Sequence, residues 1–297
     1  MSFTTKLSIT KFFSKERFHQ YYLLMRMDRP IGTWLLLWPT FWALWIASEG
    51  IPSILHLIVF SLGVFVMRSA GCVINDYADR NIDKHIERTK NRPITSGKVS
   101  SREALGLFTV CILIAFILVL FLNIYTILLS FVALLLAAIY PFMKRYTHYP
   151  QIVLGMAFSW AIPMAFAAQL NNIPQVAWIL YFVTILWIVS YDTMYAMADR
   201  EEDLKIGVKS TAIIFADNDK LIIALLQLFF TGGMFYIAWL VQGGLFFYLG
   251  ITISIIFSVY QQYLIRNRDE KSCFQAFLNN HWLGMVIFIG IFLNYLP

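Results

Sequence analysis

The chain has 297 residues, of which 59% are hydrophobic, 17% aromatic and 13% charged, with a net charge of +6. Soluble domains carry about 25% charged residues, so this composition excludes a water-soluble enzyme, a disordered tail and a disulfide scaffold, and it requires a lipid bilayer. At about 20 apolar residues per helical crossing, the length suits roughly eight to ten crossings and leaves no room for a separate soluble domain.

In chain order, residues 1–25 form an amino-terminal segment. In it Lys6, Lys11, Lys15 and Arg17 are interspersed with Phe12, Phe13 and Phe18. No continuous apolar run is present, so the segment reads as a helix lying on the membrane surface rather than a cleaved leader. Apolar runs follow at 30–47, 54–75, 104–121, 124–143, 151–169, 174–198, 221–241, 244–265 and 276–296. They predict an all-α polytopic membrane protein of about nine helices. The expected architecture is one bundle around a central cavity, with cytoplasmic cap loops and residues 1–297 as a single domain. Pro39, Pro141 and Pro163 lie in or at the ends of spans, where they can kink helices and free carbonyls. Gly155-Met-Ala-Phe-Ser-Trp-Ala161 alternates small with large residues, which permits close helix approach. Cys72, Cys111 and Cys273 are widely spaced in or near apolar runs and read as core residues, with no disulfide or zinc pattern.

The connections alternate between long charged segments (76–103, 144–150, 199–220, 266–275) and short ones whose single charge is Glu49. All 23 Lys and Arg fall before the first span (up to Arg29), in the charged connections or at Arg68. The positive-inside bias therefore predicts a cytoplasmic amino terminus and cytoplasmic charged loops, with the carboxy terminus periplasmic. The positive net charge is accounted for by sidedness, and no nucleic-acid partner is implied. The short stretch before the first span favours a bacterial inner membrane over an organelle reached by a transit peptide.

Two acidic clusters stand at the cytoplasmic ends of spans two and six. In the first, Asp76, Asp79 and Asp83 follow i, i+3, i+7 spacing, which places all three carboxylates on one helix face. In the second, Asp192, Tyr195, Asp199 and Asp203 repeat that spacing and extend it. The recurrence four spans apart suggests two pseudo-symmetric halves whose acidic faces meet across the cavity. Gathered carboxylates repel unless a cation neutralises them, and oxygen-only ligands select a hard ion such as Mg²⁺. A basic loop follows each cluster, so the combination suits a metal-bridged diphosphate, with a lipid diphosphate as natural occupant.

Asn75-Asp-x-x-Asp79-x-x-x-Asp83 and the cluster from Asp192 to Asp203 resemble the two aspartate-rich motifs of the UbiA superfamily of intramembrane prenyltransferases. Met27-Asp-Arg-Pro-Ile-Gly-Thr-Trp34, Leu37-Trp-Pro39, Arg68 through Arg80, Tyr140-Pro-Phe-Met-Lys-Arg145 and Tyr191-Asp-Thr-Met-Tyr195 are similar to its ubiquinone-pathway branch. The resemblance runs from about Met25 to Asn280. It implies Mg²⁺-dependent transfer of a polyprenyl group from its diphosphate to 4-hydroxybenzoate, ortho to the hydroxyl, with the substrates and the bilayer as partners.

The same resemblance gives the metal and diphosphate to Asn75, Asp76, Asp79, Asp83, Asp199 and Asp203, with Glu202 a weaker candidate. It implies catalytic roles for Asp79, Asp83 and Asp192 and a substrate contact at Tyr195. Arg88, Arg92, Lys144, Arg145, Lys205 and Lys209 are candidate diphosphate contacts, although the positive-inside bias alone would also place them. Arg68 and Asp192 each precede a motif residue by seven positions, on the same helical face and about 10 Å deeper. They are expected to bracket the acceptor, Arg68 on its carboxylate and Asp192 near the phenol as orienter or base. The alternative is a structural Arg68–Asp192 ion pair. Homogentisate or a dihydroxynaphthoate as acceptor, and an ion-coupled transporter in place of an enzyme, are the competing readings.

Overall fold

The computed structural model describes residues 14–81, 83–85 and 89–296. Arg88 and residues 1–13 of the expected interfacial segment lie outside that range. In chain order the helices are α1 (Lys15–Leu24), α2 (Ile31–Ser48), α3 (Ile54–Asp79), α4 (Ser101–Val119), α5 (Ile124–Ile139) and α6 (Pro150–Ser159). They continue with α7 (Ala161–Leu170), α8 (Gln175–Ile206), α9 (Thr211–Phe215), α10 (Asp219–Leu240), α11 (Leu245–Leu264) and α12 (Glu270–Asn294). Short 3-10 turns occupy Asp83–His85, Tyr140–Arg145, Ala216–Asn218 and Ile265–Asn267. Among the described residues nine helical stretches are long and apolar enough to cross a membrane, and the protein is a multi-pass integral membrane protein.

The chain divides into two compact units, Met1–Pro30 with Phe65–Ala115 and Ile31–Val64 with Phe116–Pro297. In the first, the Ser14 hydroxyl caps α1 by accepting from the Arg17 N–H (3.3 Å). Leu24 at the other end of α1 is fully buried against Val73, Ile94, Val99 and Ala104. Arg17 and the Tyr21 hydroxyl both reach Glu103 on α4, at 2.9 and 3.2 Å. Burial, reinforced by the Glu103 charge, pushes the Tyr21 phenol above its ordinary range. Glu103 also closes a reciprocal cap with Ser100 that starts α4.

The second unit is built around aromatic side chains and close helix contacts. Trp42, Trp187 and Phe230 are fully buried, with the Trp42 and Trp187 rings 5.3 Å apart and Phe230 5.9 Å from Trp187. Gly250 of α11 and Gly290 of α12 allow near backbone contact, since a Cβ on Gly250 would lie 3.0 Å from the Gly290 Cα. The small residue Gly155 does the same between α6 and α8, where a Cβ would meet Ile185 at 3.1 Å. A ladder of amides joins three helices: Gln227 donates to Gln261 (2.7 Å), Gln262 to Gln227 (2.9 Å) and Gln261 to Asn279 (3.0 Å).

The three prolines behave differently from one another. Pro39 sits inside a continuous α2, Pro141 opens the Tyr140–Arg145 3-10 turn, and Pro163 follows the break at Trp160 that separates α6 from α7. Pro163 has no N–H with which to bond one turn back, which accounts for the break there.

Two span ends differ from the hydropathy reading. Span six was expected to end at 198, but α8 runs on to Ile206 and carries the whole second acidic cluster on one continuous helix. Gly207 stops it in a left-handed conformation (φ 70), and the Gly207 and Val208 N–H groups both cap the Asp203 carbonyl. Span two was expected to hold three carboxylates on one face. Instead α3 ends at Asp79, and Asp83 stands on the following 3-10 turn. Like charges stacked on one helix face repel, and the turn lets Asp83 reach an arginine that it shares with Asp76.

Candidate functional site

The first acidic cluster is a buried ion-pair network within its own unit. Asp76, Asp79 and Asp83 are 1%, 2% and 3% exposed, a burial that carboxylates tolerate only when paired. Arg92 supplies the shared charge, its Nη1 lying 2.8 Å from Asp83 Oδ2 and 3.1 Å from Asp76 Oδ1. Arg26 donates to both Asp76 oxygens, at 2.9 and 3.2 Å. The Asn75 amide donates to Asp79 Oδ2 at 3.2 Å.

Arg92 is held in place by a loop that looks merely charged in the sequence but is folded. Arg92 N–H bonds the Thr89 carbonyl, Ser96 N–H bonds the Arg92 carbonyl, and Val99 N–H bonds the Pro93 carbonyl. The Thr89 hydroxyl donates to the Asp83 carbonyl (3.1 Å), and Ile94 and Val99 are buried in the core of the unit. Apolar burial thus fixes a loop whose visible sequence signal is its charge.

The second cluster lies along α8. Asp192, Asp199 and Asp203 are half-buried, and Asp192 stands two turns deeper in the helix than Asp199. Tyr195 packs edge-on against Phe277 and Phe274, at 5.0 and 6.0 Å, and Tyr191 lies 5.9 Å from Phe277. These rings give the α8 face an aromatic wall contributed by α12.

The basic candidates divide in the same way. The backbone N–H of Lys209 donates to the Lys144 carbonyl (3.3 Å), and its ammonium donates to the Tyr146 carbonyl (3.5 Å). The Tyr140–Arg145 turn and the loop after α8 are therefore stitched together, with the Arg145 guanidinium over the Phe142 ring at 5.7 Å. Lys205 is exposed in the last turn of α8, and Arg68 is half-buried within α3.

Arg26, Phe274 and Phe277 were not found by reading the sequence. Arg26 meets Asp76 across fifty positions, and it does so from a left-handed backbone (φ 55), which no local spacing signals.

Chemically, the first cluster offers carboxylate and amide oxygens, without Cys or His, on a buried scaffold. Such a donor set fits a hard divalent cation such as Mg²⁺. Among the described residues no three His, Cys, Asp or Glu side chains are arranged to hold one metal ion, and in the first cluster Arg92 and Arg26 are paired with the carboxylates of Asp76 and Asp83. Arg26 and Arg92 already supply part of the positive charge that such a buried carboxylate cluster requires.

Comparison with known proteins identifies the family and the fold. Residues 36–286 match the model of the UbiA prenyltransferase family. The 4-hydroxybenzoate octaprenyltransferase of Hahella chejuensis is 56% identical over 282 residues, covering 95% of this chain and 94% of that protein. The protein of the same name from Vibrio parahaemolyticus is 58% identical over 278 residues, covering 94% and 98%. Among solved structures, a UbiA homologue from Aeropyrum pernix superposes with a TM-score of 0.78 at 23% identity, over 90% of this chain and 99% of that one. A UbiA homologue from Archaeoglobus fulgidus bound to GPP and Mg²⁺ superposes with a TM-score of 0.71 at 17% identity, over 93% and 99%. At those identities the two structures speak for the fold.

Proposed function

Because the chain belongs to the UbiA prenyltransferase family, we propose that it transfers a polyprenyl group from polyprenyl diphosphate to 4-hydroxybenzoate in ubiquinone biosynthesis. The observation that carries this reading is the identity, above half and along nearly the whole chain, to relatives bearing the name 4-hydroxybenzoate octaprenyltransferase. Their names point to an octaprenyl donor.

In the reaction the allylic C–O bond breaks with its electron pair leaving on the diphosphate. The allylic carbon then bonds the ring carbon ortho to the hydroxyl, and the proton on that carbon passes to a base. Bound Mg²⁺ would supply positive charge that stabilises the departing diphosphate. We assign its binding, and that of the diphosphate, to Asn75, Asp76, Asp79, Asp83, Asp199 and Asp203. Arg92, Lys144, Arg145, Lys205 and Lys209 neutralise the leaving group, and Arg88 belongs to the same set. Arg68 pairs with the carboxylate of the acceptor, and Asp192 orients the phenol or accepts the ring proton. Tyr195, backed by Phe274 and Phe277, offers ring faces and edges that exclude water and stabilise allylic positive charge. The placement of the Lys and Arg residues supports an amino terminus and charged loops on the cytoplasmic side and the carboxy terminus on the periplasmic side, and the bacterial source of the relatives supports an inner membrane.

The deciding experiment follows a labelled prenyl group from octaprenyl or shorter diphosphates to 4-hydroxybenzoate in membranes carrying the protein. Product that forms with Mg²⁺, stops with EDTA and vanishes in Asp79→Ala and in Asp199→Ala is the expected result. Wild-type membranes that prenylate homogentisate or a dihydroxynaphthoate but not 4-hydroxybenzoate would overturn the acceptor assignment.

A further inference from the structure

Asp219 is a buried carboxylate that none of these steps uses. It opens α10, is fully buried, and receives two arginines. Arg268, from the turn between α11 and α12, grips it with both arms of its fork: Nε lies 2.9 Å from Oδ2 and Nη2 lies 2.8 Å from Oδ1. Arg268 Nη2 also donates to the Asp217 carbonyl at 2.8 Å, and the Lys220 N–H donates to Asp219 Oδ1 at 2.6 Å. The hydrogen bond to Asp219 raises the Arg268 guanidinium above its already high range. Arg200 arrives from α8, with Nη1 3.4 Å from Asp219 Oδ2 and 3.4 Å from the Ala216 carbonyl.

The backbone bends to make this junction. Arg268 (φ 59) and Ala216 (φ 48) both occupy the positive-φ region that side-chain-bearing residues avoid. Such backbone persists only where the surroundings over-determine it, as this charge-assisted network does. Here the element fixed is α8, because Arg200 directly follows Asp199 and precedes Asp203 by three residues. With successive residues 100° apart on a helix about 5–6 Å in radius, a roll of roughly 30° would displace both carboxylates by about 3 Å.

We propose that Asp219 and Arg268 are positioning residues that, through Arg200, set the angle at which α8 presents Asp199 and Asp203 to a metal-bound diphosphate. The inference rests on the reading of those two aspartates as metal and diphosphate ligands. A misplacement of a single ångström in a positioning element can cost about a hundredfold in rate, so the tether need not touch substrate to matter.

The test uses the full-length protein in detergent and Mn²⁺ as the probe. Free Mn²⁺ is counted by electron paramagnetic resonance in the presence of a non-reacting thiolo analogue of farnesyl diphosphate. Arg200→Gln cuts the tether but leaves Asp219 bonded to Arg268, so the fold is kept. It should weaken Mn²⁺ binding about tenfold and raise the KM for prenyl diphosphate by a similar factor, with the KM for 4-hydroxybenzoate and the unfolding temperature unchanged. Arg200→Lys should recover most of the affinity, and Asp219→Asn should weaken Mn²⁺ binding in the same way but, because it strips Arg268 of its carboxylate, should also lower the unfolding temperature. Wild-type Mn²⁺ affinity in Arg200→Gln would overturn the proposal, as would an equal rise in both KM values accompanied by a lower unfolding temperature. Asp199→Ala serves as the control. If it too binds Mn²⁺ normally, the ligand reading of the second cluster fails; if it loses Mn²⁺ while Arg200→Gln does not, the positioning role alone fails.

Discussion

The two acidic clusters share a sequence spacing but are supported in opposite ways. The first is split between the end of α3 and a 3-10 turn, is almost wholly buried, and is neutralised within its own cluster by Arg26 and Arg92. The second rides on one uninterrupted helix with half-buried carboxylates, and its adjacent arginine, Arg200, reaches to Asp219. A buried carboxylate set needs an internal counter-charge even before substrate arrives. In the second set all the carboxylates turn together with one helix, so the angle at which that helix is held decides where they point.

The largest effect should come from removing a carboxylate on either side. Asp79→Ala and Asp199→Ala should each lower kcat/KM by a hundredfold or more, of the order seen when one transition-state charge partner is lost. A rate assay at saturating 4-hydroxybenzoate would show it, and a mild effect in one variant alone would mean that the clusters are unequal in chemistry as well as in support.

Arg92→Met should separate the clusters next. Breaking a buried ion pair costs about 3–5 kcal/mol, and Arg26 still partners Asp76, so a loss near the lower end is expected. The diagnostic is thermal unfolding with and without Mg²⁺: the ion should restore more stability to Arg92→Met than to wild type, because it takes up the charge that Arg92 supplied. A variant as stable in EDTA as wild type would show that the first cluster does not depend on its internal cation.

Tyr195→Ala probes the aromatic wall on α8. Loss of an edge-on aromatic contact is worth about 0.5–1.5 kcal/mol, and a few-fold rise in hydrolysed prenyl alcohol relative to prenylated product is the expected signature. Smallest of all, Gly207→Ala forces a side chain into the left-handed cap of α8, at a cost of about 1 kcal/mol. Its unfolding temperature should fall slightly while both KM values hold.

Much of this organisation was legible before any coordinates. Hydropathy located the membrane helices because lipid permits few alternatives to a continuous apolar helix. It misplaced their ends, since apolarity stops at the membrane surface whereas backbone hydrogen bonding does not, and α8 continues through Asp199 and Asp203 until Gly207 ends it. Spacing found the acidic clusters but placed Asp83 on a helix, because periodicity carries no information about the arginine that draws it onto a turn. Arg26 and the Asp219–Arg268 pair left no trace in the sequence. Their partners lie about fifty positions away, and a lone Arg near an Asp reads as ordinary loop charge.

The amide ladder of Gln227, Gln261, Gln262 and Asn279 has a consequence for how the bundle assembles. Gln227 and Gln261 are buried, so a broken amide bond there finds no water to replace it. Sliding α10, α11 or α12 by one residue, about 1.5 Å, would misalign several rungs together. The ladder therefore works as a vernier, allowing these three helices one relative height. That height determines how deep the turn between α11 and α12 sits, and so whether Arg268 arrives level with Asp219. A contact between uncharged side chains near the ends of three helices thus decides whether two opposite charges in the adjoining turns can find each other.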